Sequence, residues 1–372
     1  MRIIISGGGT GGHIYPAVTI AREMQKLFDS SDILFVGTRN SMEADIIPKE
    51  GFKLETIQVK GFDRKFSWGN ISNLFNTIGS VWSSRKILKR FKPDIVIGTG
   101  GYVCGPILFA ASLMGIPSMI QEQNVIPGVT NKILARFVDK IAVGYLESAK
   151  YFGSSNQHKV IFSGNPIRQD VLSVTREDAM ISLNLDPDKR TILISGGSRG
   201  ARSINKAMIE VHRYFQNCDD IQLLHVTGQN EYNNVVGKLK QYGIDEKLKG
   251  NIIIKPYLYN MPQALAVADL AIFRAGAIGL AELTAKGIPA ILIPYPYAAA
   301  NHQAYNARVM EQNGAAVVVD DHELCGDKLA GIVEKIIRNP DILQTMAEAS
   351  RNLGKPDAAN LIAREAAKLV GK

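Results

Sequence analysis

Three glycine clusters and one carboxylate carry most of the chemistry legible in this chain. Ile3-Ile4-Ile5 leads into Ser6-Gly7-Gly8-Gly9-Thr10-Gly11-Gly12-His13, and Thr191-Ile192-Leu193-Ile194 leads into Ser195-Gly196-Gly197-Ser198-Arg199-Gly200-Ala201-Arg202. A third cluster, Gly98-Thr99-Gly100-Gly101-Tyr102-Val103-Cys104-Gly105, follows the apolar segment 94–98. Glycine permits positive φ and lets a ligand approach main-chain N–H groups. A helix N-terminus after such a loop adds partial positive charge, so a diphosphate is a natural guest. Glu282 lies in the first turns of a helix that follows Arg274-Ala275-Gly276-Ala277. A carboxylate there can accept both hydroxyls of a ribose, or it can pair with the helix dipole for about 0.3–1 kcal/mol; spacing leaves both readings open.

Neither of the first two loops ends in Gly-Lys-Ser/Thr, so neither is a P-loop. Gly7, Gly9 and Gly12 fit G-x-G-x-x-G, but the second strand ends Phe35-Val36-Gly37-Thr38-Arg39 without the acid that binds an adenosine ribose. Arg39 would suit a 2′-phosphate, which leaves a dinucleotide enzyme as the weaker reading.

The elements that must position these loops alternate along the chain. Strands are read at 2–6, 32–37, 94–98, 117–121, 140–144 and 160–163, with helices at 16–28, 41–50, 71–91, 103–114 and 127–137 between them. The second half reads as strands at 191–195, 221–227, 251–255, 270–273, 290–294 and 316–319, with helices at 201–215, 232–242, 261–267, 279–286, 302–313 and 326–338. This alternation predicts α/β architecture with parallel sheets covered by helices on both faces. Two strand-and-loop units half a chain apart predict two domains facing across a cleft, 1–165 and 166–356, joined near Asn165-Pro166-Ile167-Arg168. The Ala-rich stretch 357–372 reads as a helix free to pack back on either domain. A length of 372 residues is comfortable for two cores.

Hydrophobic content of 46% and charged content of 21% are ordinary for a soluble globular protein. No apolar run reaches the roughly 18–20 residues that span a bilayer, and the opening residues have no leader pattern. Cys104, Cys218 and Cys325 are isolated, odd in number and without metal-ligand spacing, which reads as reduced thiols in a cytoplasmic protein. Of the net charge of +8, residues 1–165 supply +7. Residues 60–92 hold eight basic side chains (Lys60, Arg64, Lys65, Arg85, Lys86, Lys89, Arg90 and Lys92) against one acid, Asp63. Ile71, Leu74, Phe75, Ile78 and Trp82 form a helical stripe in the same segment, after Phe66 and Trp68. The stripe is either the core side of a surface helix or, with its cations, a membrane-interface helix. No aromatic-rich nucleic-acid motif accompanies the charge, so nucleic acid is not expected as a partner.

The set Gly8-Gly9-Thr10-Gly11-Gly12-His13, Gly100-Gly101-Tyr102, Gln121-Glu122-Gln123-Asn124, Gly164-Asn165-Pro166-Ile167-Arg168, Gly196-Gly197-Ser198-Arg199-Gly200-Ala201 and His302-Gln303 resembles the MurG family. These are peptidoglycan N-acetylglucosaminyltransferases acting on undecaprenyl-diphosphate-linked muramoyl-pentapeptide. The match runs in order to about residue 315. The resemblance implies the GT-B fold, with two Rossmann-like domains, and an inverting, metal-independent transfer from UDP-GlcNAc that needs no cofactor. It also implies a peripheral enzyme on the cytoplasmic face of the bacterial plasma membrane, with room for other cell-wall synthesis proteins as partners.

For the donor, the resemblance places Ser198 and its loop amides on the diphosphate with Arg168, the Leu258 main chain on uracil, and Ala277 and Ile278 along that pocket. It gives Glu282 the ribose, and Gln303 and His302 the GlcNAc ring. Thr10, Gly11, Gly12 and Asn124 would close over the sugar. Gly9, His13, Gly100, Gly101, Tyr102 and Glu122 would meet the acceptor. His13 is the first candidate for general base, with Glu122 and Asn124 in the same company, because an imidazole titrates near neutrality. The alternative is that His13 only hydrogen-bonds the acceptor or caps its loop. His158, His212, His225 and His322 read as structural or surface residues. The family also turns the 66–92 segment toward membrane docking, through Leu74, Phe75, Ile78, Trp82, Arg85, Lys86 and Lys89. Other classes weighed are a GT-B enzyme with a soluble acceptor, a UDP-sugar epimerase and a non-catalytic sugar-nucleotide-binding scaffold.

Overall fold

The computed structural model describes residues 1–59, 69–197, 200–244 and 250–372, with the side chains of 69–78 left aside. The chain divides into two units, Met1–Arg168 with Pro356–Lys372, and Gln169–Lys355.

The first unit is built on seven parallel strands: β1 (Arg2–Ser6), β2 (Asp32–Thr38), β3 (Lys53–Ile57), β4 (Ile95–Gly98), β5 (Ser118–Glu122), β6 (Lys140–Val143) and β7 (Val160–Phe162). Their order is β3-β2-β1-β4-β5-β6-β7. Helices α1 (Gly11–Leu27), α2 (Met42–Lys49), α3 (Gly69–Phe91), α4 (Cys104–Leu113) and α5 (Val129–Leu134) cover it. Ile3, Ile4 and Ile5 are all buried because β1 is central: Ile3 and Ile5 join the core under α1, and Ile4 joins the opposite core under α4. A strand covered on both faces reads as a continuous β-branched run.

The second unit repeats the plan with β8 (Arg190–Ser195), β9 (Ile221–Val226), β10 (Ile252–Lys255), β11 (Leu270–Phe273), β12 (Ala290–Leu292) and β13 (Ala316–Val318), in the order β10-β9-β8-β11-β12-β13. Its helices are α6 (Gln169–Ser173), α7 (Arg176–Leu183), α8 (Arg202–Phe215), α9 (Tyr232–Gln241), α10 (Met261–Val267), α11 (Ala277–Lys286), α12 (His302–Gln312), α13 (Gly326–Ile337) and α14 (Pro340–Leu353). The last helix, α15 (Ala358–Leu369), lies in the first unit, where Ile362, Ala363 and Ala366 pack into the α1 core and Glu365 sits 3.6 Å from Lys140. Small alanines let this helix approach closely.

In each sheet the strand order reverses beside the first strand of the unit, between β1 and β4 and between β8 and β11. Ligands of such sheets bind at the carboxyl ends of the strands at that crevice. The loops after β1, β4, β8 and β11 are the glycine clusters and the Arg274-Ala275-Gly276 turn singled out in the sequence.

Several elements escape the sequence reading. β3 alternates charged and apolar residues at a sheet edge, so it resembles a loop. Helix α1 begins at Gly11, ahead of Pro16, so His13 lies in its first turn. Helices α7 and α14 also escape that reading, although both are capped: the Thr175 hydroxyl accepts from Asp178 N at 3.2 Å, and Asn339 Oδ1 accepts from Asp341 N and Ile342 N at 3.1 and 3.2 Å.

Two histidines lie inside the second unit. His212 on α8 and His225 on β9 are both 0% exposed, with His212 Nε2 3.0 Å from His225 Nδ1. His225 Nε2 lies 3.1 Å from Asn205 Oδ1, and Asn205 Nδ2 donates to Thr227 O at 2.9 Å. The Asn205 oxygen can only accept, so His225 donates from Nε2 and accepts at Nδ1 from His212. Burial pushes the His212 imidazole down to about 3, and burial followed by the neighbouring His212 holds His225 well below its ordinary value. Both stay neutral in the folded protein while the unfolded chain takes up their protons below about pH 6.5. Their folded pKa values are depressed, so stability is full above that pH and falls as the pH drops toward the folded values. The slope is about 1.4 kcal/mol per unit for each histidine. In urea melts, the stability gap between wild type and His212→Gln should therefore narrow between pH 7.5 and 5; an unchanged gap would contradict this account.

Candidate active site

The first loop is gripped by the third. Gly8 N donates to Gly100 O at 3.3 Å, Thr99 N donates to Ser6 O at 2.8 Å, and the Thr99 hydroxyl donates to His13 O at 2.7 Å. A Cβ on Gly101 (φ +85°) would lie 2.4 Å from Gly8 O, so only glycine admits this approach. Tyr102 lies beside Gly9 with its ring partly exposed.

His13 is half-buried against Gly100, whose added Cβ would sit 2.9 Å from its ring. Its Nδ1 lies 3.0 Å from Gly8 O and 3.4 Å from the Thr10 hydroxyl. A carbonyl oxygen can only accept, so the nearer contact puts the proton on Nδ1 and leaves the Nε2 lone pair for a substrate proton. That tautomer is the one a base acting through Nε2 needs.

Beneath the loop lies Glu43, absent from the sequence reading. It is 1% exposed and accepts from Gly9 N at 3.0 Å, Thr38 N at 3.1 Å and the Thr38 hydroxyl at 2.7 Å. Added Cβ atoms on Gly8 and Gly37 would lie 2.5 and 2.8 Å from it. Burial pushes this carboxyl up, but the hydrogen bonds led by Gly9 N and Thr38 outweigh it and hold it below the usual carboxylate value. The glycines around an acid on α2 were the available signal.

Glu122, expected to meet the acceptor, has both carboxylate oxygens engaged within the unit. It is 2% exposed; Oε1 accepts from Asn124 N at 2.9 Å and Asn124 Nδ2 at 3.3 Å, and Oε2 from Gly128 N at 3.1 Å and Asn131 Nδ2 at 2.8 Å. A carboxylate so occupied sets the loop that carries Asn124. The adjoining amides brace the strand ends: Gln121 Nε2 donates to Asn165 Oδ1 at 2.9 Å, Asn165 Nδ2 to Gln123 O at 2.9 Å, and Gln123 Nε2 to Thr99 O at 2.6 Å. Arg168 closes the unit with its guanidinium 5.8 Å from the Tyr15 ring centroid.

In the second unit the β8 loop turns into α8 through Gly197 (φ +87°) and Gly200 (φ +74°), with Gly200 N donating to Gly197 O at 2.8 Å. Ser198 lies outside the described residues. A Cβ on Gly200 would stand 2.1 Å from Thr227 O, the carbonyl held by Asn205. Arg274 fastens the neighbouring strand ends: it donates to Ile293 O and Pro294 O at 3.1 Å, to Asp321 at 2.5 Å and to the Ser203 hydroxyl at 2.8 Å. Ala277 and Ile278 open α11, with Ala277 buried and Ile278 half-buried, and Leu258 is half-buried after β10. Glu282 is the sixth residue of α11, past its first turn, where the helix dipole acts most strongly. Asn301 (φ +53°) follows Ala300 (φ +50°), and the pair turns the chain into α12. There His302 Nδ1 lies 2.7 Å from Ala299 O, and Gln303 Oε1 accepts from Tyr295 N at 2.9 Å.

On α3, the side chains of Leu74, Phe75 and Ile78 lie outside those described. Farther along, Ser80, Ser84, Ile87 and Leu88 are buried while Trp82, Arg85, Lys86 and Lys89 are exposed. Trp82, 60% exposed, stacks under Lys86 Nζ at 3.4 Å from its ring centroid, so the core-facing reading does not hold for it. Among the described residues no helix is long and apolar enough to cross a membrane.

Comparisons with known proteins agree with this geometry. Residues 3–143 match the glycosyltransferase family 28 N-terminal domain, and residues 191–362 match the family 28 C-terminal domain. The UDP-N-acetylglucosamine–N-acetylmuramyl-(pentapeptide) pyrophosphoryl-undecaprenol N-acetylglucosamine transferase of Desulforamulus reducens is 48% identical over 358 residues, 96% of each chain. The enzyme of the same name from Halothermothrix orenii is 47% identical over 362 residues, 97% of each chain. The crystal structure of Acinetobacter baumannii MurG superposes with a TM-score of 0.78 at 25% identity, covering 99% of both chains. The chain therefore belongs to glycosyltransferase family 28 and, within it, to the MurG family of N-acetylglucosaminyltransferases.

Proposed function

We propose that this enzyme transfers GlcNAc from UDP-GlcNAc to the C4 hydroxyl of the muramoyl sugar in undecaprenyl-diphosphate-linked muramoyl-pentapeptide, giving the β-1,4-linked disaccharide lipid for peptidoglycan. The observation that carries the reading is His13, held by Gly8 O through Nδ1 with Nε2 turned away from that bond, in a chain 48% identical to a transferase of that name. His13 Nε2 takes the acceptor hydroxyl proton on the face opposite UDP, so the α-linkage inverts to β. Thr10, Gly11, Gly12 and Asn124 close over the donor sugar, Tyr102 flanks the acceptor, and the Gly9, Gly100 and Gly101 main chain receives its diphosphate.

On the donor side, the β8 loop and Arg168 stabilise the charge that leaves with UDP, and fixed N–H dipoles do so without reorganisation. Glu282 takes the ribose, Leu258, Ala277 and Ile278 hold the uracil, and Gln303 and His302 hold the GlcNAc hydroxyls. Such a departure needs no metal: an excess of EDTA should leave the rate unchanged, and NMR of the product should show a β anomer. Loss of activity on chelation, or an α product, would overturn this mechanism.

The enzyme works as a peripheral protein on the cytoplasmic face of the plasma membrane, docked through the exposed Trp82, Arg85, Lys86 and Lys89 face of α3. Each cation near an anionic surface contributes about 1 kcal/mol. Replacing Arg85, Lys86 and Lys89 together by serine should weaken binding to phosphatidylglycerol vesicles on the order of a hundredfold. Sedimentation that is unchanged by the replacement would contradict this docking.

A further inference from the structure

One peptide group in the first loop is held from both sides. The Gly8–Gly9 peptide donates its N–H to Glu43 Oε2 at 3.0 Å and accepts at its carbonyl from His13 Nδ1–H at 3.0 Å. The two contacts are therefore opposite ends of one conjugated amide. Glu43 is buried, fixed by Thr38 N and the Thr38 hydroxyl, and approached so closely by Gly8 and Gly37 that neither position has room for a Cβ.

We propose that Glu43 is a positioning residue that acts on His13 through the Gly8–Gly9 peptide, fixing its Nδ1–H tautomer and raising the basicity of Nε2. A carboxylate on the amide N–H draws the proton toward itself and shifts electron density to the carbonyl oxygen. Hydrogen bonds in such a chain strengthen one another in a low-dielectric interior. The richer carbonyl accepts more strongly from His13 Nδ1–H, which favours the imidazolium that forms when Nε2 takes a proton. The peptide thus does what a directly bonded carboxylate does for other catalytic histidines. The proposal rests on the reading of His13 as base. Other titratable or charged groups beside the loop are Tyr15, packed on Gly11 with the Arg168 guanidinium 5.8 Å from its ring centroid, Tyr102, next to Gly9, and Cys104, whose thiol lies 3.0 Å from Ser6 O and 2.9 Å from Gly100 O. Burial raises that thiol to about 11, so it stays protonated at working pH.

The test is imidazole 15N NMR of His13 across pH in wild type, Glu43→Gln and Glu43→Asp, beside kcat and KM for UDP-GlcNAc. In wild type the neutral ring should carry its proton on Nδ1; a proton on Nε2 overturns the proposal without any variant. In Glu43→Gln the His13 pKa should fall by about half a unit or more, kcat by at least about tenfold, and KM for UDP-GlcNAc should hold. Glu43→Asp keeps the charge but draws it away from Gly9 N, so it should titrate like the glutamine variant. If it titrates like wild type, the field of the charge suffices and the peptide link is wrong. Unchanged His13 titration in both variants also overturns the proposal. His13→Gln separates the two levels: full activity there sinks the base reading even where the NMR coupling holds.

Discussion

Replacing His13 by alanine should lower kcat by about 10²–10⁴, the usual contribution of a positioned base, while leaving KM for UDP-GlcNAc within a few-fold of wild type. The asymmetry follows from where His13 sits. Its ring is anchored to Gly8 O and rests on Gly100, within the loops of the first unit proposed to receive the acceptor. The groups assigned to uracil and ribose, and Gln303 and His302 assigned to the GlcNAc ring, lie in the second unit. A histidine that only capped the loop would lower stability and raise KM for the acceptor, with kcat little altered. Steady-state kinetics with each substrate varied in turn distinguishes these results.

The second large effect is expected at Gly200. With φ at +74° and Thr227 O 2.1 Å from any added Cβ, alanine there meets backbone that cannot yield like a flexible side chain. Left-handed strain costs about 1–2 kcal/mol and overpacking about 1–3 more. Thr227 O is held by Asn205, itself locked by His225, so the clash must be relieved by moving the β8 loop. Gly200→Ala should therefore lose about 2–5 kcal/mol of stability and bind UDP-GlcNAc at least about a hundredfold more weakly. Gly197→Ala is the comparison: it too has a positive φ (+87°), and among the described residues nothing lies within 4 Å of its added Cβ. Calorimetric titration of UDP-GlcNAc into both variants checks this, and equal losses would mean that strain alone, not the Thr227 contact, sets the loop.

Much of this was legible in the chain because the signals are local. Ile3-Ile4-Ile5 and Thr191-Ile192-Leu193-Ile194 announce central parallel strands, and the glycines after them mark where backbone must approach backbone. The partner across that approach was not legible. Nothing in Gly8-Gly9 names Glu43, which arrives from α2 over thirty residues later, and nothing in Gly200 names Thr227. Glu122 illustrates the converse: a carboxylate among amides looks available for chemistry until Asn124, Gly128 and Asn131 are seen to occupy both oxygens. Trp82 belongs to the apolar stripe by spacing, yet Ile87 and Leu88 face the core and Trp82 shares the opposite side with the cations. The chain's return in α15 depends on a contact between Ala363 and the α1 core that no local pattern encodes.

The most direct test of the central claim is transfer of labelled GlcNAc from UDP-GlcNAc to a short-chain polyprenyl-diphosphate muramoyl-pentapeptide, with UDP-glucose and a soluble muramoyl-peptide as controls. A disaccharide lipid from UDP-GlcNAc, poor use of UDP-glucose and little transfer to the soluble acceptor are the expected results. Binding of UDP-GlcNAc without transfer to the lipid, or conversion of UDP-GlcNAc to its epimer, would contradict the claim.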